Sequence, residues 1–225
     1  MFRAVCLLIV CHLLFACSSS DEQKEFAVEG VGDVTYRVIF KATWSAATHP
    51  DDFPSNPHFS GLIGATHNLQ ANFWGDGQIA SSGIESMAET GSKTELTEEI
   101  NQQINIGDAD KIISVGGIAR SPDQIEITSF PVSGDFPYIT LVSMLAPSPD
   151  WFVGVAGLSL IENGLWIENK TIDLFVYDAG TDDGATYTSP DADSNPKQPI
   201  SQFTTKPFLI ENEVKWVAQF IFEKI

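Results

Sequence analysis

The stretch "YITLVSMLAPSPDWFVGVAGLSLI", residues 138–161, joins two apolar runs through the short polar link PSPD. Both runs are rich in β-branched and aromatic residues, and Pro, Asp or Gly bounds them, which is typical of β-strands. The pattern therefore predicts two strands with a turn between them, and this turn carries Asp150.

The same pattern recurs along the rest of the chain at the spacing of a β-sandwich. Further strand candidates are residues 33–44, 111–119, 124–130, 170–178 and 214–225. Residues 45–61 and 189–199 are rich in Pro, Asn, Asp and Ser, which predicts loops. The best helical segment is 94–104, with Thr94 as its expected N-cap and Gly107 as its stop. We therefore expect an all-β fold, an antiparallel β-sandwich with one or two short helices in its connections.

The charge balance restricts the partners of this protein. The 225 residues include 30 acidic and 12 basic side chains, for a formal net charge of −18. Such a surface repels phosphate backbones, which argues against nucleic-acid binding, whereas it suits divalent cations or cationic partners.

The first 17 residues are typical of an export signal. Arg3 precedes an apolar run, residues 4–16, that is too short for a permanent membrane anchor. Residues 14–17, LFAC, resemble a bacterial lipobox, although Phe15 is bulkier than the usual residue there. The alternative is an ordinary secretory peptide that ends near a cysteine.

We interpret residues 1–17 as a lipoprotein signal peptide, 18–32 as a polar tether and 33–225 as the folded domain. Lipid on Cys17 would then anchor the protein to the bacterial envelope. No Asp follows Cys17, which by analogy with lipoprotein sorting favours the outer membrane, on its periplasmic or its surface face. Cys6 and Cys11 would be removed, so the mature domain would have neither a disulfide nor a thiol ligand for soft metals.

Acidic residues cluster in the segment "YDAGTDDG", residues 177–184, which holds Asp178, Asp182 and Asp183. Two strand-like segments separate this cluster from Asp150, so the chain leaves one end of the sandwich and returns to it. Asp is a common turn former, and a single Asp would indicate only a turn. Several carboxylates on neighbouring loops, however, favour a site for a hard cation such as Ca²⁺, which takes 6–8 oxygen ligands.

These motifs also resemble a known family. "PSPDWFVGV" (147–155) and "DLFVYDAGTDDG" (173–184), together with upstream segments such as "YRVIFKATW" (36–44), are similar in order and spacing to the spondin N-terminal domain. This module occurs in animal extracellular-matrix spondins and in exported bacterial proteins. The resemblance covers roughly residues 33–190.

The resemblance implies a β-sandwich related to C2 domains that binds one calcium ion through Asp150, Asp178 and Asp182. Asp183 stands where relatives usually have Ser, so whether it or backbone carbonyls complete the calcium shell is open. The cysteines that animal members carry between the two motifs are absent here. The thrombospondin repeats of animal spondins are also missing, so the resemblance does not extend to their matrix and neuronal roles.

Other patterns give weaker indications of a site. Residues 191–196, DADSNP, imitate the start of an EF-hand loop, but Pro196 replaces the required Gly and Gln202 the final Glu. Histidines recur every nine residues, which is not a zinc-site spacing: His49, His58 and His67. Acidic residues with helical spacing are interpreted as a solvated face rather than a catalytic pair: Glu85, Glu89, Glu95, Glu98 and Glu99.

The function expected from the sequence is a calcium-binding, envelope-anchored adhesion module that is not an enzyme. The chain has no G-x-S-x-G and no H-E-x-x-H motif. Its partner would be an unidentified extracellular protein or glycan. The alternatives are a calcium-dependent hydrolase acting on carbohydrate and a purely structural envelope lipoprotein.

Overall fold

The computed structural model describes residues 31–225, in which the chain forms mostly β-strands and two short helices. The strands are β1 (Val34–Ala42), β2 (His58–Phe59), β3 (Ile63–His67), β4 (Ala109–Ser114), β5 (Gln124–Val132), β6 (Tyr138–Ala146), β7 (Trp151–Ser159), β8 (Ile161–Glu162), β9 (Leu165–Trp166), β10 (Asn169–Leu174), β11 (Tyr177–Asp178), β12 (Ser201–Gln202), β13 (Leu209–Ile210), β14 (Glu213–Val214) and β15 (Ala218–Lys224). The helices are α1 (Ser82–Thr90) and α2 (Thr94–Ile106). The expected signal peptide, Cys17 and all but the end of the tether lie outside the described residues.

Two antiparallel sheets face each other. One has the strand order β10-β15-β1-β5, and the other has the order β12-β11-β7-β6-β3-β4, with β2 paired to β6. The expected all-β fold, an antiparallel sandwich with two short helices in a connection, is thereby confirmed. No helix in residues 31–225 has the length and apolarity needed to cross a membrane.

The main core lies between the two sheets. In β1 the side chains of Tyr36, Val38 and Phe40 are fully buried, whereas the residues between them are partly exposed. This alternation is what a strand with one face on the core requires. Each such side chain contributes about 1.5–3 kcal/mol by leaving water.

Both helices cover the outer face of the larger sheet. The apolar residues Ile84 and Met87 of α1 and Leu96 and Ile100 of α2 are buried in a second cluster that includes Phe152 of β7. As a result, β6 lies between two apolar layers and is buried along almost its whole length. Its sequence is accordingly apolar without alternation, as is typical of a central strand.

The ends of α2 test the sequence prediction directly. Gly107 terminates the helix in the left-handed conformation (φ 86°), as predicted, because glycine adopts this conformation without a steric penalty. The expected N-cap is wrong, because Thr94 is already the first helical residue and the N-cap position is Lys93, whose side chain makes no capping hydrogen bond.

Strand β3 was not predicted from the sequence. All five of its residues are buried, so its sequence lacks the alternation of polar and apolar residues that indicates a strand with one exposed face. At Gly64 a β-carbon would lie 1.8 Å from the carbonyl oxygen of Thr140 on β6, so only glycine fits there. Most of the predicted 45–61 loop is indeed irregular, although it contributes β2 near its end.

Candidate metal centre

Pairing of β11 with β7 brings two of the predicted ligands together. Asp178 lies directly opposite Trp151, the residue after Asp150. The backbone amide of Ala179 also donates to the carbonyl oxygen of Asp150 at 3.2 Å. The two aspartates, which are 28 residues apart in the sequence, are therefore neighbours at one end of the larger sheet.

The Asp150 carboxylate lies beneath the loop that follows β11, and its residue is 0 % exposed. Its Oδ2 atom accepts hydrogen bonds from the backbone amides of Thr181 and Asp182 at 2.8 and 3.1 Å, and from the Thr181 hydroxyl at 3.2 Å. Its Oδ1 atom is buried and has no hydrogen-bond partner among the described residues. Burial raises the pKa of Asp150, although these hydrogen bonds favour the ionised form.

The Asp178 carboxylate is half-buried beside Asp150. Its Oδ1 atom accepts a hydrogen bond from the amide of Gly180 at 2.8 Å. Burial, followed by repulsion from Asp150 and then from Asp182 and Asp183, raises the pKa of Asp178 to about 6, against an ordinary value of 3.8. The ionised form of this group is therefore destabilised in the absence of a compensating positive charge.

Asp182 is 5 % exposed, and it organises the backbone around it. Its Oδ1 atom accepts a hydrogen bond from the amide of Gly184 at 2.6 Å, and its Oδ2 atom accepts one from the amide of Ala192 at 2.7 Å. Both carboxylate oxygens keep lone pairs for a further contact, because a carboxylate offers about four acceptor positions.

The segment that imitates an EF-hand supports this loop from the outside. Asp182 and Asp193 form an antiparallel bridge, and the Ser194 hydroxyl donates to Asp183 at 2.5 Å. Gly180 takes a left-handed conformation (φ 73°), and a β-carbon there would lie 2.2 Å from the carbonyl oxygen of Gln198. Residues 178–184 are thus tightly fixed by their own backbone and by the 191–198 segment.

Within the described residues, no basic side chain forms an ion pair with this group of acids. Among the ion pairs of residues 31–225, none includes Asp150, Asp178 or Asp182. Lys206 lines a neighbouring cavity of about 430 Å³ together with Asp178 and Asp182, but it pairs with Asp51. The site is therefore an anionic pocket with an open side.

The donor set fits a hard cation in its chemistry. All of the polar atoms in the cluster are carboxylate, hydroxyl or backbone groups, and the unpartnered Asp150 Oδ1 atom is an available ligand. In the described part of the chain, however, no three His, Cys, Asp or Glu side chains are already arranged to hold a metal ion. One physical reason is that carboxylate oxygens of Asp178 and Asp182 already accept hydrogen bonds from backbone amides. A cation would have to share these oxygens with the amides.

The three histidines do not form a site. The His49 ring contacts the Thr48 hydroxyl at 3.0 Å and the His58 ring contacts a backbone carbonyl at 2.9 Å. The His67 ring lies between a backbone carbonyl and the Thr140 hydroxyl, at 2.7 and 2.9 Å. Burial lowers the pKa of both His49 and His67, so their neutral forms are favoured.

The acidic residues of the helices are not simply a solvated face. Glu85 pairs with Lys197, and Glu99 accepts hydrogen bonds from the Ser81 hydroxyl and the Gly83 amide, both at 2.7 Å. Glu89 is half-buried, and its Oε1 atom has no hydrogen-bond partner in the described chain. It lies near enough to Asp150 for the two charges to repel each other, which the helical spacing of the acids did not reveal.

Comparison with known proteins identifies relatives over most of the chain. The Spondin_N family matches residues 34–213. Spondin-1 of Gallus gallus is 34 % identical over 212 residues, which are 86 % of this chain and 26 % of that protein. Spondin-2 of Homo sapiens is 32 % identical over 176 residues, which are 76 % of this chain and 52 % of that protein.

The chain thus spans about a quarter of the length of the spondin-1 relative and about half that of spondin-2. The match includes both segments that build the acidic pocket, PSPDW and DAGTD. It also includes every strand of the two sheets except β15. This chain belongs to the spondin N-terminal domain (Spondin_N) family.

Proposed function

We propose that this protein is a calcium-dependent, non-catalytic binding module of the spondin type that acts in adhesion outside the cytoplasm. In this proposal Asp150, Asp178 and Asp182 hold one Ca²⁺, and lipid on Cys17 anchors the chain to the bacterial envelope. The ligand is an extracellular protein or glycan.

The observation that carries the proposal is the unpartnered Oδ1 atom of Asp150, which is fully buried beside a second carboxylate. Burying a charged oxygen without a partner costs several kcal/mol in principle, because water can no longer solvate it. A cation held between Asp150 and Asp178 would convert their repulsion into attraction.

Calcium suits this pocket better than a transition metal. The pocket residues supply oxygen donors only, which hard cations prefer. The residues of the mature domain also include no cysteine. Ca²⁺ tolerates irregular geometry and high coordination numbers, so it can accept backbone carbonyls and water beside the three carboxylates.

A binding role has more support than hydrolysis of carbohydrate. The two paired acids of a glycoside hydrolase flank the bond to be cut and stand about 5–10 Å apart across a groove. Here Asp150 and Asp182 share one hydrogen-bond network, in which the Asp182 amide donates to the Asp150 carboxylate at 3.1 Å. This bond holds the backbone of the acidic loop against Asp150, which suits a cation site shared by the two residues.

Anchoring rests on the sequence pattern of residues 1–17 alone. The described domain begins within two residues of the end of the predicted tether, at β1. In this proposal the predicted tether joins the folded domain to the lipid on Cys17.

Binding assays on arrays of glycans and extracellular-matrix proteins test this function. The full chain, kept in mild detergent, is applied with calcium or with chelator, and Asp178→Asn serves as the control. We expect calcium-dependent retention of the chain and no chemical change in the probes. Turnover of a probe that disappears on replacing one of the three aspartates would contradict the proposal.

A further inference from the structure

The last turn of α1 carries a carboxylate, Glu89, that interacts with the Thr181 side chain and with the charge of Asp150. Glu89 is half-buried, and its Oε1 atom is closed to solvent and has no hydrogen-bond partner among residues 31–225. Burial raises the pKa of Glu89, and repulsion from Glu85, Asp150 and Asp193 raises it further. The charge on Glu89 is therefore another one that its surroundings do not compensate.

One hydroxyl group serves both Glu89 and Asp150. The Thr181 hydroxyl donates to Asp150 Oδ2 at 3.2 Å, and it is close enough to Glu89 to favour its ionised form by hydrogen bonding. A hydroxyl group has a single hydrogen, so it cannot satisfy both carboxylates at once. Among the described residues, no other group donates to Glu89 Oε1, and Asp150 Oδ1 also lacks a donor.

Lys197 does not supply the missing positive charge. Lys197 pairs with Glu85, one helical turn before Glu89. No ion pair in the described part of the chain includes Glu89. A mobile cation could satisfy both unpartnered oxygens, and its presence would also offset the repulsion between the two acids.

We propose that Glu89 is a further oxygen ligand of the cation held by Asp150, so that the ion ties helix α1 to the loops after β6 and β11. This inference rests on the proposed function and adds to it a fourth carboxylate, from an element outside the two loop motifs. A fourth carboxylate raises the affinity of an oxygen site for Ca²⁺, because affinity depends on the charge of the ligand set.

The test compares calcium binding by the full chain and three variants, measured by calorimetry in mild detergent. Glu89→Gln removes the charge and keeps the size of the side chain. Glu89→Asp keeps the charge on a side chain that is shorter by one methylene group. Glu85→Gln is the matched control, because it makes the same charge change one turn away on the same helix. We expect Glu89→Gln to raise the dissociation constant at least about tenfold, Glu89→Asp to raise it about threefold or more, and Glu85→Gln to change it by less than about threefold.

Melting temperatures distinguish a ligand from a residue that only supports the fold. In calcium-free buffer, Glu89→Gln should melt at the same temperature as the unaltered chain or above it, because an uncompensated charge is gone. In saturating calcium it should melt below the unaltered chain. A drop of equal size in both conditions would overturn the inference.

The outcomes also separate this inference from the proposed function. If the unaltered chain binds calcium and both Glu89 variants bind it equally well, the role of Glu89 is refuted while the calcium site stands. If the unaltered chain binds no calcium, both are refuted.

Discussion

Replacing Asp178 by Asn is expected to change the stability of this protein in opposite directions with and without calcium. The surroundings of Asp178 raise its pKa from 3.8 to about 6, chiefly through burial and the neighbouring Asp150. Each pKa unit corresponds to about 1.4 kcal/mol. The full shift would thus be about 3 kcal/mol, which we reduce to about 1–2 kcal/mol because solvent reaches part of this side chain and screens its charge.

The sign of the effect follows from linkage. A carboxyl group with a raised pKa in the folded state holds its proton more tightly there than in the unfolded chain. The penalty for ionising Asp178 is therefore absent below a pH of 3.8 and complete above a pH of about 6. Without calcium, stability should fall as the pH rises through this window, and Asp178→Asn should remove this part of the fall.

At pH 7.5 and without calcium, we expect Asp178→Asn to melt about 2–8 °C above the unaltered chain, given about 2–4 °C per kcal/mol for a domain of this size. In calcium at about a hundred times the dissociation constant, the unaltered chain gains about 2.7 kcal/mol. The variant, with a weakened site, gains less, so the order of the two melting temperatures reverses.

Differential scanning calorimetry at several pH values, in calcium-free and in calcium-containing buffer, measures both effects. The matched control is Asp191→Asn in the exposed 191–196 loop, which makes the same chemical change outside the pocket. Asp178→Asn melting below the unaltered chain in both buffers, with an unchanged pH profile, would refute the electrostatic reasoning.

Three further outcomes are expected. Asp150→Ala should cost about 2–4 kcal/mol even without calcium, because it leaves the buried amides of Thr181 and Asp182 without an acceptor; equal urea midpoints would contradict this. Gly64→Ala should cost at least about 2–3 kcal/mol by thermal melting, since its β-carbon has no room beside β6, and an unchanged melting temperature would count against the register of β3. Cys17→Ala should release the protein from the membrane fraction, and full retention there would refute lipid anchoring.

Part of the fold could be predicted from the sequence, because the strands of the smaller sheet have one face on the core and one face that is more exposed. β1 and β5 show this alternation, and their positions agree with the predicted segments within a few residues. β3 could not be found in this way, since it is short, is buried on both faces and consists partly of small residues. Its identity as a strand depends on pairing with β4 and β6, which are distant in the sequence.

The acidic pocket was predictable in part for a similar reason. A turn between two strands carries Asp150, and the end of a later strand carries Asp178. Antiparallel pairing places the two residues together. The position of Glu89 near Asp150 was not predictable. Helical spacing alone cannot show which acidic side chain of a helix contacts another part of the fold. Only the packing of α1 on the larger sheet brings its last turn near the loops.

The same limit applies to the loop that imitates an EF-hand. Its sequence predicts an isolated solvated loop. In the structure, however, the Ala192 amide donates to Asp182 at 2.7 Å and the Ser194 hydroxyl donates to Asp183 at 2.5 Å. These contacts join segments about ten residues apart that share no regular element. Turn-rich sequence predicts that such a segment is irregular, but not what it contacts.

Calorimetric titration of calcium into the full chain measures directly whether the acidic pocket holds an ion. We expect one calcium ion per chain with a dissociation constant of roughly 10⁻⁴–10⁻³ M, the range of extracellular calcium modules. We also expect Asp178→Asn to weaken this binding and Asp191→Asn to leave it unchanged. No heat of binding at millimolar calcium, together with a melting temperature that calcium does not change, would show that this calcium site does not exist.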